Sequence, residues 1–511
     1  MSSSVQENNK RVAKNTVLLY IRMGFILIIN LYTSRVILKY LGVQDFGIYN
    51  VVGGITAMMG VLNSAMTVAT QRYLSFEIGR GDFERLNRTF CISLSIYIIL
   101  CIVFLIICET IGLWFLNTQL IIPPDRISAA NWVYQFSIFA VINSLLTDPY
   151  NASIVSHERM DVFAYVSILE NALKLLIVFC LPLIPLDRLV IYGALYLLVS
   201  LIITMIYRIY CIRNFKECHF RIYRDTKLFK EILSYSGWNL FGSVAGIAQG
   251  QGLNILLNMF FTPVVNAANG IAAQVNGAVG MFFSNFYIAV RPQITKYYAQ
   301  DELQSMFKLV FRSSKYSYYL IWIVALPIII EAPYIINLWL GQLPKYVADF
   351  TRFTIFISAI TAMSSPIMTM AHATGRIRTY QLVVGLCQIL ILPISYIYLA
   401  NDFPPIIVFE VSLCMTLVAF FLRLYIVKIL IPTFSIKEYM REVFVAVILV
   451  SMLSVILPYY MHYRLSVSLI NTIFVCGAAV FSSIISIWLL GMTSNEKQFL
   501  INLVKDKIKA S

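Results

Sequence analysis

Residues 15–44 read NTVLLYIRMGFILIINLYTSRVILKYLGVQ, and this stretch decides the fold class. About 20 mostly apolar residues suffice for a helix to cross the hydrocarbon core of a bilayer, and this run is longer. Arg22 nevertheless lies well inside the apolar run, and Arg35 and Lys39 lie toward its far end. A cation in hydrocarbon is costly, so it is expected to reach the interface, to pair, or to face a water-filled cavity. The stretch therefore predicts a membrane helix whose charges have a function.

The rest of the chain has the same apolar character. Of its 511 residues, 59% are hydrophobic and 13% charged, with a mean hydropathy of +0.78, whereas about 25% of a soluble domain is charged. Basic cytoplasmic loops account for the net charge of +14 better than nucleic-acid binding does, because no soluble basic domain is visible. The nine cysteines include no CxxC pair and are predicted to be packing residues. We expect no cleavable signal peptide, because the first apolar run is too long for one.

Hydropathy predicts an all-α polytopic membrane protein with about fourteen transmembrane helices. They centre on residues 16–37, 46–70, 89–115, 129–155, 162–184, 189–211, 233–259, 263–289, 313–340, 349–372, 379–400, 404–429, 442–462 and 466–490. Lys and Arg are densest at Arg72 to Arg88, Arg208 to Lys230 and Arg291 to Lys315, which the positive-inside rule places in the cytoplasm. We therefore predict that both termini are cytoplasmic.

An internal repeat organises these spans. A shift of 219 residues superimposes the first three spans on spans seven to nine, and a shift of 217 superimposes spans four and five on ten and eleven. Pro149 then meets Pro366, and Arg159 meets Arg376. We predict two parallel six-helix lobes, residues 1–215 and 216–432, related by a pseudo-two-fold axis along the membrane normal. Residues 433–511 would add a helix pair and a cytoplasmic tail. Parallel repeats of this type occur in transporters that alternate access.

Enzymatic function is not expected from this sequence. It contains no Walker A sequence, no HExxH, no GxSxG and no His cluster with metal-ligand spacing. The predicted loops are too short for a soluble catalytic domain. We therefore expect no cofactor, no metal and no nucleic-acid partner, and energy from an ion gradient or from the substrate itself.

Charged residues inside spans are functional candidates by default. The cations are Arg22, Arg35, Lys174, Arg352 and Arg423. Glu170 and Lys174 are four residues apart on one helix face, so they form an ion pair, or Lys174 meets a substrate anion while Glu170 tunes it. Asp148 precedes Pro149, whose missing N–H frees a backbone carbonyl, and is a candidate site for a proton or cation. The alternative for Asp148 is a residue at a helix end.

The two lobes differ at matching positions. Arg35 of span one aligns with Asn254 of span seven, and Arg22 aligns with Phe241. Span seven carries glycines together with Gln249, Gln251 and Asn254, which either line a cavity and bind sugar hydroxyls or join neighbouring helices. The pattern predicts a central cavity with cations on one side and amides on the other. Such a cavity suits a phosphate attached to a polar headgroup, because Arg and Lys bind phosphate oxygens.

Three segments resemble a known family. They are NTVLLYIRMGFILIINLYTSRVILKYLGVQDFGIYNVVGG (15–54), TQRYLSFEIGRGD (70–82) and DPYNASIVSHERMDVFAYVSILE (148–170). They resemble the Wzx-type O-antigen and polysaccharide flippases of the multidrug/oligosaccharidyl-lipid/polysaccharide (MOP) exporter superfamily. The most telling part is R-x-x-L-x-x-L-G-x-x-x-[FY]-G, from Arg35 to Gly47.

The resemblance implies a bacterial inner-membrane protein that moves an undecaprenyl-diphosphate-linked oligosaccharide to the periplasmic leaflet by alternating access. It implies a cationic central cavity, with Arg22 and Arg35 in plausible positions and Lys174 as a further candidate. It also implies coupling to protons or sodium, for which Asp148 and Glu170 are candidates. Membrane lipids and a polysaccharide polymerase are the expected partners. Two alternatives stay open: an ion-coupled multidrug or toxin exporter of the same superfamily, and a non-transporting membrane scaffold for polysaccharide assembly.

Overall fold

The structure is a computed structural model. It describes residues 15–26, 60–118, 122–261, 263–340, 345–494 and 496–498, together with residues 29, 33, 36, 37, 40, 41, 45, 48 and 49. The predictions for Arg35 and Lys39 fall outside this part of the chain. Where the chain is described it is helical, with turns between helices and no β-strand.

The helices follow one another with short connections. They are α1 (Asn15–Ile26), α2 (Gly60–Arg80), α3 (Phe83–Thr118), α4 (Ile127–Ser156), α5 (Met160–Cys180), α6 (Arg188–Asn214), α7 (Thr226–Phe260), α8 (Pro263–Ala299), α9 (Leu303–Leu340), α10 (Val347–Ala373), α11 (Arg378–Ala400), α12 (Ile407–Leu430), α13 (Ile436–Arg464) and α14 (Leu469–Gly491). Within the described residues, 11 helices are long and apolar enough to cross a membrane. Each predicted span corresponds to one of these helices, except that much of the second half of span one and most of the start of span two fall outside the described residues.

Several helices extend beyond the predicted spans. The helix α7 begins at Thr226 rather than near residue 233, and α9 begins at Leu303 rather than near residue 313. The start of α7 is capped, because the backbone N–H of Leu228 donates to Asp225 Oδ1 over 3.0 Å. Hydropathy locates only the part of a helix that lies in hydrocarbon, so these polar ends were missed.

The chain forms two compact units. Unit 1 comprises residues 1–243 and 288–302, and unit 2 comprises residues 244–287 and 303–511. The division into lobes at residues 215 and 432 stays a prediction.

Packing inside each unit follows the internal repeat. In unit 1, α4 packs against α3 and α6, and α5 packs against α6. In unit 2, α10 packs against α9 and α12, and α11 packs against α12. Adding six to each helix number of a packed pair in unit 1 therefore gives a packed pair in unit 2. The matched prolines, Pro149 in α4 and Pro366 in α10, both lie inside their helices.

The turn that follows each of these helices also repeats, with one substitution. Glu158 has φ 60° and Gly375 has φ 77°, and the two are 217 positions apart. A left-handed conformation costs a residue with a Cβ roughly 1–2 kcal/mol. In unit 1 that cost is offset by contacts with the end of α8. Gln293 donates to Glu158 Oε2 over 2.5 Å, and the Lys296 ammonium pairs with the same carboxylate.

One close contact fixes the C-terminal part of α3. The helix widens into a π turn at Cys108–Gly112, and the Tyr134 hydroxyl of α4 donates to the Cys108 carbonyl over 2.9 Å. A Cβ at Gly112 would lie 2.0 Å from that hydroxyl, so any other residue there would have to displace the Tyr134 side chain. The nine cysteines are free thiols, as predicted for packing residues, and six of them are buried.

Candidate functional site

The candidate site begins with Arg22, at the centre of α1. Its guanidinium carbon lies 4.5 Å from the centroid of the Phe163 ring of α5, a cation–π contact. Its Nε–H is buried and has no hydrogen-bond partner among the described residues. A buried N–H without an acceptor costs roughly 1–3 kcal/mol. Arg22 therefore offers a donor that an incoming acceptor could satisfy.

Lys174 lies on α5, the same helix as Phe163. Its ammonium pairs with Glu170 Oε1 over 2.6 Å and lies 4.9 Å from the centroid of the Tyr196 ring of α6. Both charged side chains are about one-third exposed, at 28% for Lys174 and 33% for Glu170. The ion pair is therefore formed, and Lys174 remains accessible beside it.

Glu170 connects the two cations. It bonds directly to Lys174 and also acts electrostatically on Arg22. Glu170 thus contacts Lys174 and lies within electrostatic range of Arg22, and we call these three residues, all of unit 1, the charge cluster. One ion pair and one further cation give the cluster a formal charge of one positive unit. Such an arrangement favours an anionic ligand.

Asp148 lies elsewhere in unit 1, inside α4 and not at its end. Its Oδ2 atom is buried without a hydrogen-bond partner in the described structure, and Asn63 of α2 lies beside the carboxylate. Close by, the Tyr97 and Thr67 hydroxyls are 3.4 Å apart. A buried carboxylate with an unused lone pair is suited to hold a proton or a small cation.

The three polar candidates of α7 belong to unit 2, and their environments differ. Asn254 Oδ1 accepts a hydrogen bond from Asn269 Nδ2 of α8 over 2.5 Å, so Asn254 joins two helices. Gln251 is exposed and Gln249 is half-buried. A Cβ at Gly252 would lie 2.6 Å from Leu392, so this glycine allows α7 to approach α11 closely.

The other two intramembrane arginines also belong to unit 2, and both are hydrogen-bonded. Arg352 Nε donates to the Ile329 carbonyl over 3.0 Å, and Arg352 Nη1 pairs with Asp349 over 3.2 Å. Arg423 is buried and donates through Nη1 to Ser364 Oγ over 2.5 Å. These contacts give both arginines a role in packing, while Nε of Arg423, like that of Arg22, is buried without a hydrogen-bond partner among the described residues.

Sequence analysis missed the aromatic side chains beside the charge cluster. Tyr196 contacts Tyr192 at 6.4 Å between ring centroids, and Tyr192 contacts Tyr49 at 4.9 Å. The available signal was the four-residue spacing of Tyr192 and Tyr196 in an apolar helix. Among the described residues, no three His, Cys, Asp or Glu side chains are arranged to hold a metal ion.

No protein-family model and no curated protein matches the sequence. Solved structures do match. A MATE protein in complex with MaD3S superimposes with a TM-score of 0.70 at 12% identity, covering 85% of this chain and 100% of that chain. An outward-facing multidrug resistance MATE family transporter of the MOP superfamily gives 0.68 at 13% identity, with coverages of 84% and 99%. A MOP superfamily transporter from Pyrococcus furiosus, whose binding pocket of reverse polarity suggests a different function, gives 0.66 at 13% identity, with the same coverages.

Identity this low shows the fold and nothing finer. The predicted polytopic all-α membrane architecture is confirmed: the chain has the fold of the MATE transporters of the MOP superfamily.

Proposed function

We propose that this protein is a lipid-linked oligosaccharide flippase of the MOP superfamily. It would move an undecaprenyl-diphosphate-linked glycan from the cytoplasmic to the periplasmic leaflet of a bacterial inner membrane, by alternating access. The product would feed O-antigen, capsule or exopolysaccharide synthesis, with a polysaccharide polymerase as the next protein to receive it. The MATE-like fold supports a transporter, and the charge cluster supports an anionic substrate.

The single observation that carries the proposal is the Nε–H of Arg22, which is buried without a hydrogen-bond partner among the described residues, on a side chain within electrostatic range of Glu170, the ion-pair partner of Lys174. A phosphate oxygen would satisfy that donor, and a charge-assisted hydrogen bond contributes roughly 1.5–3 kcal/mol. Lys174 would contact a second phosphate oxygen from the other side of Glu170. Arg35, which lies outside the described residues, stays a candidate for phosphate binding. Gln249 and Gln251 remain candidates for contacts with sugar hydroxyls.

Asp148 supplies the proposed coupling site. Its buried Oδ2 and the adjacent Asn63 offer oxygen ligands to a proton or to sodium. Glu170 is the second candidate, but its ion pair with Lys174 makes it part of the substrate site first.

The second candidate function is an ion-coupled multidrug exporter, and Asp148 is the observation that favours it. A buried carboxylate attracts a lipophilic cation as well as a proton, and one of the similar structures is a multidrug resistance transporter. A non-transporting scaffold for polysaccharide assembly is the third reading. It assigns no role to the charge of Arg22.

A binding competition on purified protein tests these readings. Undecaprenyl-diphosphate-linked oligosaccharide is titrated against a lipophilic cationic dye in wild type, Arg22→Ala and Asp148→Asn. Arg188→Ala is the matched control, because Arg188 is an exposed cation that bonds to the Tyr40 carbonyl over 3.2 Å. We expect Arg22→Ala to weaken glycan binding about 10- to 100-fold, while Arg188→Ala leaves it unchanged.

The opposite pattern would transfer the proposal to the exporter. In that pattern the protein binds no glycan, and it binds the dye equally well in wild type and Arg22→Ala but not in Asp148→Asn. In cells, Arg22→Ala with Arg35→Ala is expected to abolish glycan export while the protein still inserts. Normal surface polysaccharide in that double variant would contradict the role of the cations.

A further inference from the structure

The helix α9 is bent around an acidic residue. Glu331 has φ −99° and ψ 19°, outside the helical range, and lies between Pro327 and Pro333. Pro333 has no N–H to donate to the Ile329 carbonyl, four residues earlier. Arg352 of α10 supplies the missing donor over 3.0 Å. The bend is therefore built into unit 2, with a compensating hydrogen bond.

Glu331 is buried at this bend and bonds to a histidine. Its side chain is 6% exposed, and Oε1 lies 2.7 Å from Nδ1 of His462, near the end of α13. The His462 side chain is 40% exposed. The carboxylate is thus enclosed, while the imidazole reaches the surface. The imidazole is therefore the route by which a proton would enter or leave.

The other charged and titratable groups around the bend come from α10, α13 and α14. Arg352 is the only cation that the described part of α10 brings to the bend, and it is shared with Asp349 over 3.2 Å. Cys476 of α14 lies within electrostatic range of Glu331. Arg464, two residues beyond His462, lies over a tyrosine ring of its own helix. Among the described residues none of these three forms an ion pair with Glu331, and His462 is its direct partner.

The pair sits at one end of a series of polar contacts between α9 and α13. Tyr318 and Ser451 are 2.9 Å apart through their hydroxyl oxygens, and Trp322 Nε1 donates to Ser454 Oγ over 2.8 Å. Contacts advance in the same direction on both helices, so α9 and α13 run parallel. These fixed contacts hold the imidazole against the carboxylate.

We propose that Glu331 and His462 form a single proton-binding site, separate from Asp148 and the charge cluster. With one proton, the pair is neutral overall, as carboxylate with imidazolium or as carboxylic acid with imidazole. Without that proton, a negative charge remains buried at the bend, which is strongly unfavourable. Proton loss through the exposed imidazole therefore weakens the contact between α13 and the bend in α9. With the predicted topology, the site exchanges protons with the outer side of the membrane.

Histidine NMR of the purified full-length protein tests the site. The chain has four histidines, so ring-labelled protein gives four assignable signals, and His462→Gln identifies the one of interest. We expect the ring-nitrogen signals of His462 to change in Glu331→Gln at fixed pH, because the carboxylate that shares the proton is gone.

A matched control comes from the second His–carboxylate pair, in which His157 Nε2 lies 2.5 Å from Glu217 Oε1 in unit 1. Glu217→Gln should change the ring-nitrogen signals of His157 and leave those of His462 unchanged. Glu331→Asp keeps the charge but shortens the side chain, so it should change the His462 signals less than Glu331→Gln does, and it provides the comparison if Glu331→Gln fails to insert. His462 signals that are the same in wild type and in both Glu331 variants would overturn the proposal.

The role of this proton in transport rests on the proposed function, whereas the NMR test of the site does not. In proteoliposomes, His462→Gln should bind lipid-linked glycan as wild type does and lose the dependence of transport on external pH. If the wild-type protein bound no glycan, the proposed flippase function would be wrong, but the proposal of a proton-binding site would not be affected. Normal glycan transport with an unaltered pH profile in His462→Gln would remove the site from coupling.

Discussion

Neutralising Glu170 is expected to change ligand affinity in opposite directions for a flippase of an anionic lipid and for an exporter of cationic drugs. Glu170 pairs with Lys174 over 2.6 Å and acts electrostatically on Arg22, so Glu170→Gln raises the formal charge of the cluster from one to two positive units. An anionic ligand should then bind more tightly and a cationic ligand more weakly. Glutamine keeps the shape of the side chain, so packing against α6 should be preserved.

The magnitude follows from distance and screening. A phosphate oxygen bonded to Lys174 at about 2.8 Å would lie about 5 Å from the Glu170 carboxylate. Two unit charges at that distance interact with about 3 kcal/mol at an effective dielectric constant of about 20. Both side chains are about one-third exposed, at 28% and 33%, so solvent screening leaves about 1–2 kcal/mol. We therefore expect Glu170→Gln to bind the lipid-linked glycan about 5- to 30-fold more tightly.

The assay is equilibrium binding of labelled lipid-linked glycan and, separately, of a lipophilic cation at fixed salt. Glu109→Gln is the matched control, because Glu109 is a half-buried carboxylate of α3 that accepts a hydrogen bond from Gln135 over 3.2 Å. It should change neither affinity. If Glu170→Gln weakened glycan binding, or strengthened cation binding, the electrostatic reasoning would be refuted.

Two further predictions concern stability in detergent. Gly112→Ala should destabilise the protein by about 2–4 kcal/mol through overpacking and loss of the Tyr134 hydrogen bond, and Tyr134→Phe in the same chain should recover part of that loss in thermal unfolding. An equal loss in the double variant would contradict the close contact. Glu77, in the polar end of α2, is buried, and burial raises its pKa despite the Arg85 ion pair at 3.1 Å. A raised pKa favours the protonated carboxyl in the folded state, so the stability that Glu77 contributes is lost as pH rises. Glu77→Gln should therefore stabilise the protein at neutral pH and stabilise it less near pH 4. A stability difference that does not depend on pH would refute this.

Hydropathy and the repeat predicted much of the fold, because both depend on patterns spread along the chain. The spans, the matched prolines and the α4–α6 and α10–α12 pairs all follow from them. The left-handed turn at Glu158 was also within reach, since a shift of 217 places Gly375 opposite it. Its ties to Gln293 and Lys296 were not, because they join segments that no repeat or periodicity relates.

The candidate site was partly predictable for the same reason. Arg22, Glu170 and Lys174 stood out as charges inside apolar runs, and the four-residue spacing of the latter two predicted their contact. The hydrogen bond by which Asn254 joins α7 to α8 could be recognised only from the three-dimensional structure. Glu331 and His462 are 131 residues apart, and nothing in the sequence links them. The two prolines around Glu331 marked a bend without indicating its partner.

The contacts between α9 and α13 also bear on how the protein is made. Tyr318, Trp322 and Glu331 find their partners 131 to 133 residues later in the chain. At a synthesis rate of about 5–20 residues per second, α9 waits on the order of 10 s in the membrane before α13 leaves the ribosome. Throughout that interval a carboxylate, an indole N–H and a phenol lack their final acceptors and donors. The last helix pair therefore completes the hydrogen bonds of a helix that was inserted long before it, and a chain that stops short of α13 would lack the α13 partners of these three groups.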